Sequence, residues 1–316
     1  MPKPIASLSL DLDNHWSYMK NHGVEGWKTH PSYFETIVPH VLELLEELEL
    51  KITFFIVGQD AVYEKNKQYI RMLAEAGHNI ANHSFNHETY LHLYSREELI
   101  EEIDKSHQAI QSASGKEPTG FRGPGFSWNN SLMEILADKG YTYDASTFPT
   151  SIGPLARMYY FRTANLSKEE KKERKELFGK FSDAFRKLKP HFWKLKGNRK
   201  LLEIPVTTMP IFRTPIHMTY LMYLSSISRS LMMFYLKTAI YLCKITRTSP
   251  SFLLHPLDLI GGDKVTGLDT FPGMNLSSEE KQKTFRKVIR ALGRHYTLVT
   301  MEEHASRVIK KSALRE

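Results

Sequence analysis

The sequence predicts an α/β fold, a parallel sheet with outer helices that closes, or nearly closes, into a barrel. Three observations predict it. Short β-type runs alternate with helical patterns along almost the whole chain, the signature of parallel strands joined by crossover helices. Roughly seven or eight such units suit a barrel better than an open sheet. Polar residues also gather where the runs end, which is where barrels keep their chemistry. The 316 residues, 41% hydrophobic and 25% charged, suffice for one large barrel or two modest domains. They exclude a disordered, collagen-like or disulfide-stapled chain.

The elements follow in order. Residues 5–12 read as a strand ending in acids. Residues 33–50 read as a helix, with Ile37, Val41, Leu44, Leu45 and Leu48 at helical spacing. Residues 51–58 are β-branched and aromatic and read as a buried strand. A helix over 61–76 stops at Gly77, a left-handed cap. A strand at 79–82 precedes a helix opened by Ser95, whose capping box closes on Glu98. Residues 120–122, 142–145, 202–206, 252–255 and 297–300 are further strands. Helices at 130–139 and 277–292 separate some of them, the second with Ser277 and Glu280 as its capping box.

The net charge of +8 is not evenly spread. Between residues 155 and 200 fifteen Lys/Arg stand against five acids, and the remainder holds 28 basic and 30 acidic residues. This basic insertion reads as a partly helical, solvated surface segment, or as a patch for phosphate groups on lipid or sugar. Its aromatics read as a helix stripe and not as a stacking platform, which sets nucleic acid aside. Residues 216–245 are rich in Leu, Met, Tyr and Ile, with only Arg229 and Lys237 charged between Met218 and Cys243. They read as one or two barrel helices with a wide buried face, the alternative being a peripheral contact with a lipid monolayer. The lone Cys243 excludes an internal disulfide. The first residues lack the apolar run of a signal peptide. No stretch approaches the roughly 18 apolar residues of a membrane span. The expected location is therefore the cytoplasm, with the inner face of the membrane as a peripheral site.

The strand ends carry the chemistry. The first ends Asp11-Leu12-Asp13, the third runs into His83-Ser84-Phe85-Asn86-His87, the fourth ends Phe121-Arg122-Gly123-Pro124-Gly125, and a late strand ends Leu254-His255-Pro256. Residues two apart on a strand point the same way, so both aspartates can share one cavity. Two imidazoles four apart on a helical turn can grip one ion. With one carboxylate they make a two-His, one-carboxylate site for a divalent ion, zinc first, with cobalt, nickel or manganese as alternatives. The second acid is then free to take a proton from water, an arginine to orient that acid, and a further histidine to protonate a leaving group.

The set resembles the NodB-type polysaccharide deacetylases, carbohydrate esterase family 4, from about residue 6 to the end, the basic insertion excepted. The resemblance implies a single distorted (β/α)7 barrel domain over 1–316, with the basic insertion at about 155–200 and the apolar helical segment at 216–245. It implies Asp11 as base, Asp13, His83 and His87 as metal ligands, Arg122 as the residue that orients the base, and His255 as general acid. The implied reaction is removal of an N-acyl group, acetyl first, from an amino sugar or oligosaccharide, with a lipid-linked or envelope-polysaccharide precursor as one form of it. A deformylase of a lipid-carried amino sugar and a non-catalytic saccharide- or membrane-binding barrel are the alternatives. Three departures stand out: Leu12 separates acids that the family usually has adjacent, Phe252 opens the last motif, and the later strands hold no Asp-x-x-Asp-Trp. Glu203 and Asp258 are the candidates to back His255 in its place. His15, His22 and His78 read as ordinary histidines. Trp16, Phe126 and Trp128 read as sugar-site or core aromatics, and Asp144 and Thr147 as a strand-end cap or substrate contacts.

Overall fold

The computed structural model describes residues 3–153, 168, 185–269, 271 and 273–314. The strands β1 (Ile5–Asp11), β2 (Thr53–Ile56), β3 (Asn79–Asn82), β4 (Gly120–Phe121), β5 (Tyr143–Asp144), β6 (His191–Lys194), β7 (Lys200–Glu203), β8 (Ser251–Leu254) and β9 (Thr297–Val299) form one sheet. Its order is β6-β7-β5-β4-β3-β2-β1-β8, with β9 paired to the start of β1. Every pairing is parallel except β6 with β7.

The sheet curls into a half-barrel, and among the described residues no pairing joins β6 to β8. The distorted barrel is therefore open on that side, which decides between the closed and nearly closed forms that the sequence predicts. The strand count could not settle this, because closure depends on tilt and stagger between strands. Within the expected basic insertion, residues 154–167 and 169–184 lie outside the described residues. The later part of that stretch holds β6, an edge strand laid antiparallel on β7, and a 3-10 turn at Lys196–Asn198.

The order of Ser and Leu along β1 decides which face does what. Ser7, Ser9 and Asp11 alternate with Leu8 and Leu10, so a period of two sends polar side chains to one face and apolar ones to the other. The leucines are fully buried, each contributing about 2 kcal/mol. They join a core with α2 (Phe34–Glu47), α4 (Glu64–Glu75), α7 (Met218–Ile227), α8 (Arg229–Ile245) and α9 (Ser278–Gly293). A second helix layer, α5 (Arg96–Ser114) and α6 (Asn130–Asp138), covers β4 and β7.

The concave face is filled from below by α10 (Met301–Ala313), whose Met301 and Ala305 pack with Phe55, Tyr143, Ala145 and Ile204. Up the inner face of β1, Ser7 Oγ meets His304 Nδ1 of that helix at 2.8 Å, Ser9 Oγ meets Arg122 at 3.0 Å, and Asp11 follows at the rim. The helix expected over 61–76 is two: α3 (Gly58–Val62) and α4, broken at Tyr63, whose backbone is extended. A short α1 (His15–Asn21) is capped by the Asn14 side chain.

Candidate active site and metal centre

Asp11, Asp13, His83, His87 and Arg122 meet at the carboxyl ends of β1, β3 and β4, all at most 7% exposed. Asp13 Oδ1 lies 3.0 Å from His87 Nε2 and 3.6 Å from His83 Nε2, and Asp11 Oδ2 lies 3.9 Å from His83 Nε2. His83 Nδ1 stands 2.7 Å from the Arg122 carbonyl. A carbonyl only accepts, so Nδ1 carries the proton and the neutral ring aims an Nε2 lone pair at Asp13. Ligand atoms of Asp13, His83 and His87 all lie within 4.8 Å of one another.

The donor set fits a divalent cation on geometry alone. Asp13 Oδ1 is buried without a hydrogen bond, and two imidazole nitrogens converge beside it. Burial pushes the Asp13 carboxyl up, but the facing His87, then His83 and His255, outweigh it and hold it down at about 2. Burial lowers His83 despite the two aspartates. A ligand set of one ionised carboxylate and a neutral imidazole is what such an ion requires.

Arg122 is fully buried and spans the site. Its Nη1 donates to Asp11 Oδ1 at 2.5 Å and to Ser9 Oγ at 3.0 Å, its Nε donates to the Ala145 carbonyl at 3.1 Å, and its guanidinium lies 4.2 Å over the Phe55 ring. The turn that follows depends on Gly123, where a Cβ would stand 2.0 Å from the Ser127 carbonyl oxygen.

The two histidines do not sit on a helical turn, contrary to the sequence expectation. They flank a loop in which Ser84 and His87 take left-handed backbone (φ 63° and 54°), a conformation held only where the surroundings enforce it. Two side chains enforce it here, and sequence reasoning missed both roles. Asn82 Oδ1 accepts from Ser84 N at 2.8 Å and from Ser106 Oγ at 2.7 Å. Glu102 of α5 accepts from the Phe85 and Asn86 amides at 2.9 and 2.6 Å and from the Asn86 side chain at 2.8 Å.

Asp60 was missed as well, although it follows a strand end. It is fully buried and accepts from Asn14 Nδ2 at 2.7 Å and Trp16 Nε1 at 2.9 Å. Burial lifts its carboxyl to about 7 against those hydrogen bonds. Trp16 in turn packs edge-on against His87, ring centroids 6.3 Å apart.

His255 ends β8 with its side chain 26% exposed. Of the two candidates to back it, Asp258 is in place and Glu203 is not. Asp258 Oδ2 accepts from the His255 amide at 2.7 Å and stands 3.9 Å from Nδ1, too far for a direct bond. Thr219 of α7 fills that gap, its Oγ1 lying 3.0 Å from His255 Nδ1 and 3.2 Å from Asp258 Oδ2. One hydroxyl proton serves the carboxylate, so the hydroxyl oxygen accepts from Nδ1–H and Nε2 takes no part in this pairing. Nothing in the sequence singled out Thr219.

Glu203 instead forms a sealed cluster with Asp144, accepting from the Thr147 amide at 3.1 Å and Trp193 Nε1 at 3.1 Å. Asp144 accepts from Ser146 Oγ at 2.6 Å. Burial pushes both carboxyls up, and no face of either reaches solvent. Phe126 packs tilted against Phe148 and Trp128 against Trp193, ring centroids 4.7 Å apart in each pair. His78 is a core histidine under Phe54, and burial lowers it to about 4.

Residues 25–143 match the sequence model of the polysaccharide deacetylase family. That span contains His83, His87 and Arg122 but neither Asp11 and Asp13 nor His255. The chain is 28% identical over 131 residues to a peptidoglycan deacetylase of Helicobacter pylori, covering 42% of each chain. It is 31% identical over 106 residues to a peptidoglycan-N-acetylglucosamine deacetylase of Bacillus cereus, covering 34% of this chain and 48% of that one. The matches thus span less than half of either relative. A crystal structure of a Mycobacterium smegmatis protein, provisionally described as a polysaccharide deacetylase, superposes over 99% of this chain and 92% of its own, with TM-score 0.59 at 18% identity.

Proposed function

We propose, for a chain whose residues 25–143 match the polysaccharide deacetylase model, a metal-dependent amide hydrolase that removes an N-acyl group, acetyl first and formyl as the alternative, from an amino sugar. The observation that carries this reading is the meeting of one carboxylate and two imidazoles beside a second carboxylate held by a buried arginine. A divalent ion on Asp13, His83 and His87, zinc before cobalt, nickel or manganese, would supply Lewis-acid polarisation there.

The protein's own groups do the rest. Asp11, fixed by Arg122 through Oδ1, takes a proton from the attacking water. His255 delivers a proton from Nε2 to the departing amine as the acyl C–N bond breaks, leaving a carboxylate and a free amino sugar. Asp258 and Thr219 hold its ring in register. Relatives named for peptidoglycan support a glucosamine-type sugar. A lipid-linked or envelope-polysaccharide precursor at the inner face of the membrane is the proposed form, consistent with the apolar helices that adjoin His255.

Metal analysis of the purified protein tests the centre. We expect about one equivalent of transition metal per chain, lost in Asp13→Ala and His87→Ala. Asp11→Asn keeps the metal and loses hydrolysis by about a hundredfold or more. Incubation with N-acetyl and N-formyl amino sugars, free, nucleotide-linked and lipid-linked, identifies the substrate by the acid released. Full activity of Asp11→Asn removes it as base, and a metal-free, inactive protein leaves only a binding barrel.

A further inference from the structure

Helix α8 is apolar on both faces. Met232, Leu236, Ala239, Ile240 and Cys243 are buried in the core. Yet Leu231, Phe234, Tyr241 and Ile245 are 45, 70, 63 and 55% exposed on the other side. Those positions, with Thr238 between them, recur every three or four residues and make one continuous stripe. The end of α7 extends it through Tyr223 and Ile227, 49 and 61% exposed. Surface helices of this protein otherwise turn charges outward, as α9 does with Glu279, Lys283 and Lys287. A contiguous apolar face of this size marks an interaction site.

Charge says what covers it. Neither α7 nor α8 contains an acidic residue, and Lys237 and Lys244 are exposed, while Arg229 at the start of α8 pairs with Glu280 at 3.1 Å. Beyond Ile245, Lys3, Lys244 and Arg294 stand close enough for all three charges to weigh on His295. Beside the end of α8, Lys187, Lys189 and Arg213 line an open cleft of about 560 Å³ that also touches Thr246 and Thr248 and, among the described residues, has no carboxylate in its wall. A second copy docked face to face would set these cations against one another. An anionic lipid surface satisfies both the stripe and its cationic margins, because acyl chains take Leu, Phe and Ile while phosphates take the lysines. No helix among the described residues is long and apolar enough to cross a membrane, so α8 would lie in the plane of the surface.

We propose that the outer face of α7 and α8 docks this protein on an anionic lipid monolayer. The surface is argued from its own residues. Only its purpose, presenting a lipid-borne amino sugar to the His255 that Thr219 of α7 touches, rests on the function proposed above.

Flotation with vesicles of phosphatidylcholine, alone or mixed with phosphatidylglycerol, tests it. The full chain is expected to float with the anionic vesicles at low salt and to stay behind with the neutral ones. Phe234→Glu with Tyr241→Glu abolishes flotation, and Lys237→Glu with Lys244→Glu weakens it roughly tenfold or more. Unchanged circular dichroism shows that the variants are folded. The proposal is overturned if the wild-type chain ignores anionic vesicles, or if the apolar double variant still floats. A dimer in sedimentation that Phe234→Glu splits also overturns it, since a second copy then covers the face. Loss of hydrolysis with flotation intact would count against the hydrolase and leave the docking surface standing.

Discussion

At the scale of single residues, the site depends on groups that hold other groups. Thr219 fills a 3.9 Å gap between His255 and Asp258 that neither side chain closes alone. Replacing it by valine keeps the shape and removes both hydrogen bonds. We expect Thr219→Val to lower kcat about tenfold, in line with a lost orienting bond of roughly 1–1.5 kcal/mol. Thr219→Ser should retain most of the rate, because the hydroxyl alone does the work. The check is the pH–rate profile: the limb that reports His255 moves in the valine variant while KM stays near wild type. A profile of unchanged shape would leave Thr219 a packing residue of α7.

At the scale of elements, the loop that carries His83 and His87 is clamped from α5. Glu102 receives three hydrogen bonds from residues 85 and 86, and Gly58 of α3 lies so close to α5 that a Cβ would stand 2.7 Å from Ser106 Cα. Glu102→Ala frees two amides and the backbone of His87. Metal affinity is expected to fall about ten- to a hundredfold, as for other supports of ligating histidines, read by competition with a chelator. Gly58→Ala pushes α3 from α5 and should cost about 1–3 kcal/mol in urea unfolding. Because the α3 amides of residues 58 and 59 also bond the carbonyls of Ser84 and Phe85, that variant should weaken metal binding too.

For the whole molecule, the C-terminal helix closes the hollow of an open half-barrel and brings a buried histidine with it. His304 is fully buried against Ser7, and burial lowers it to about 4. Its folded pKa lies below the unfolded value near 6.5, so between these values the unfolded chain takes up a proton that the folded one refuses. Stability is full above pH 6.5 and falls as the pH drops toward 4, by roughly 3 kcal/mol from this group. His304→Gln can still bond Ser7 and should flatten that decline in urea titrations above and within the window. His78, also lowered to about 4, adds to the same acid sensitivity.

Much of this protein is legible in one dimension. The alternation of strand and helix, the capping boxes at Ser95 and Ser277, and the polar residues at strand ends are local patterns, because backbone period and end-capping are decided within a few residues. They pointed to Asp11, Asp13, His83, His87, Arg122 and His255 before any of these was seen together. The tertiary structure alone decided that Asp258 and not Glu203 adjoins His255, that Thr219 stands between them, that Asn82 and Glu102 hold the loop of His83 and His87, and that Asp60 anchors Asn14 and Trp16 beside it. It also decided that, among the described residues, no pairing joins β6 to β8 and one face of α8 is left uncovered. Most of these are relations between segments far apart in the chain, set by strand order and helix packing, and even the His255 ring and the Asp258 carboxylate, three residues apart, are joined only through Thr219 of another helix.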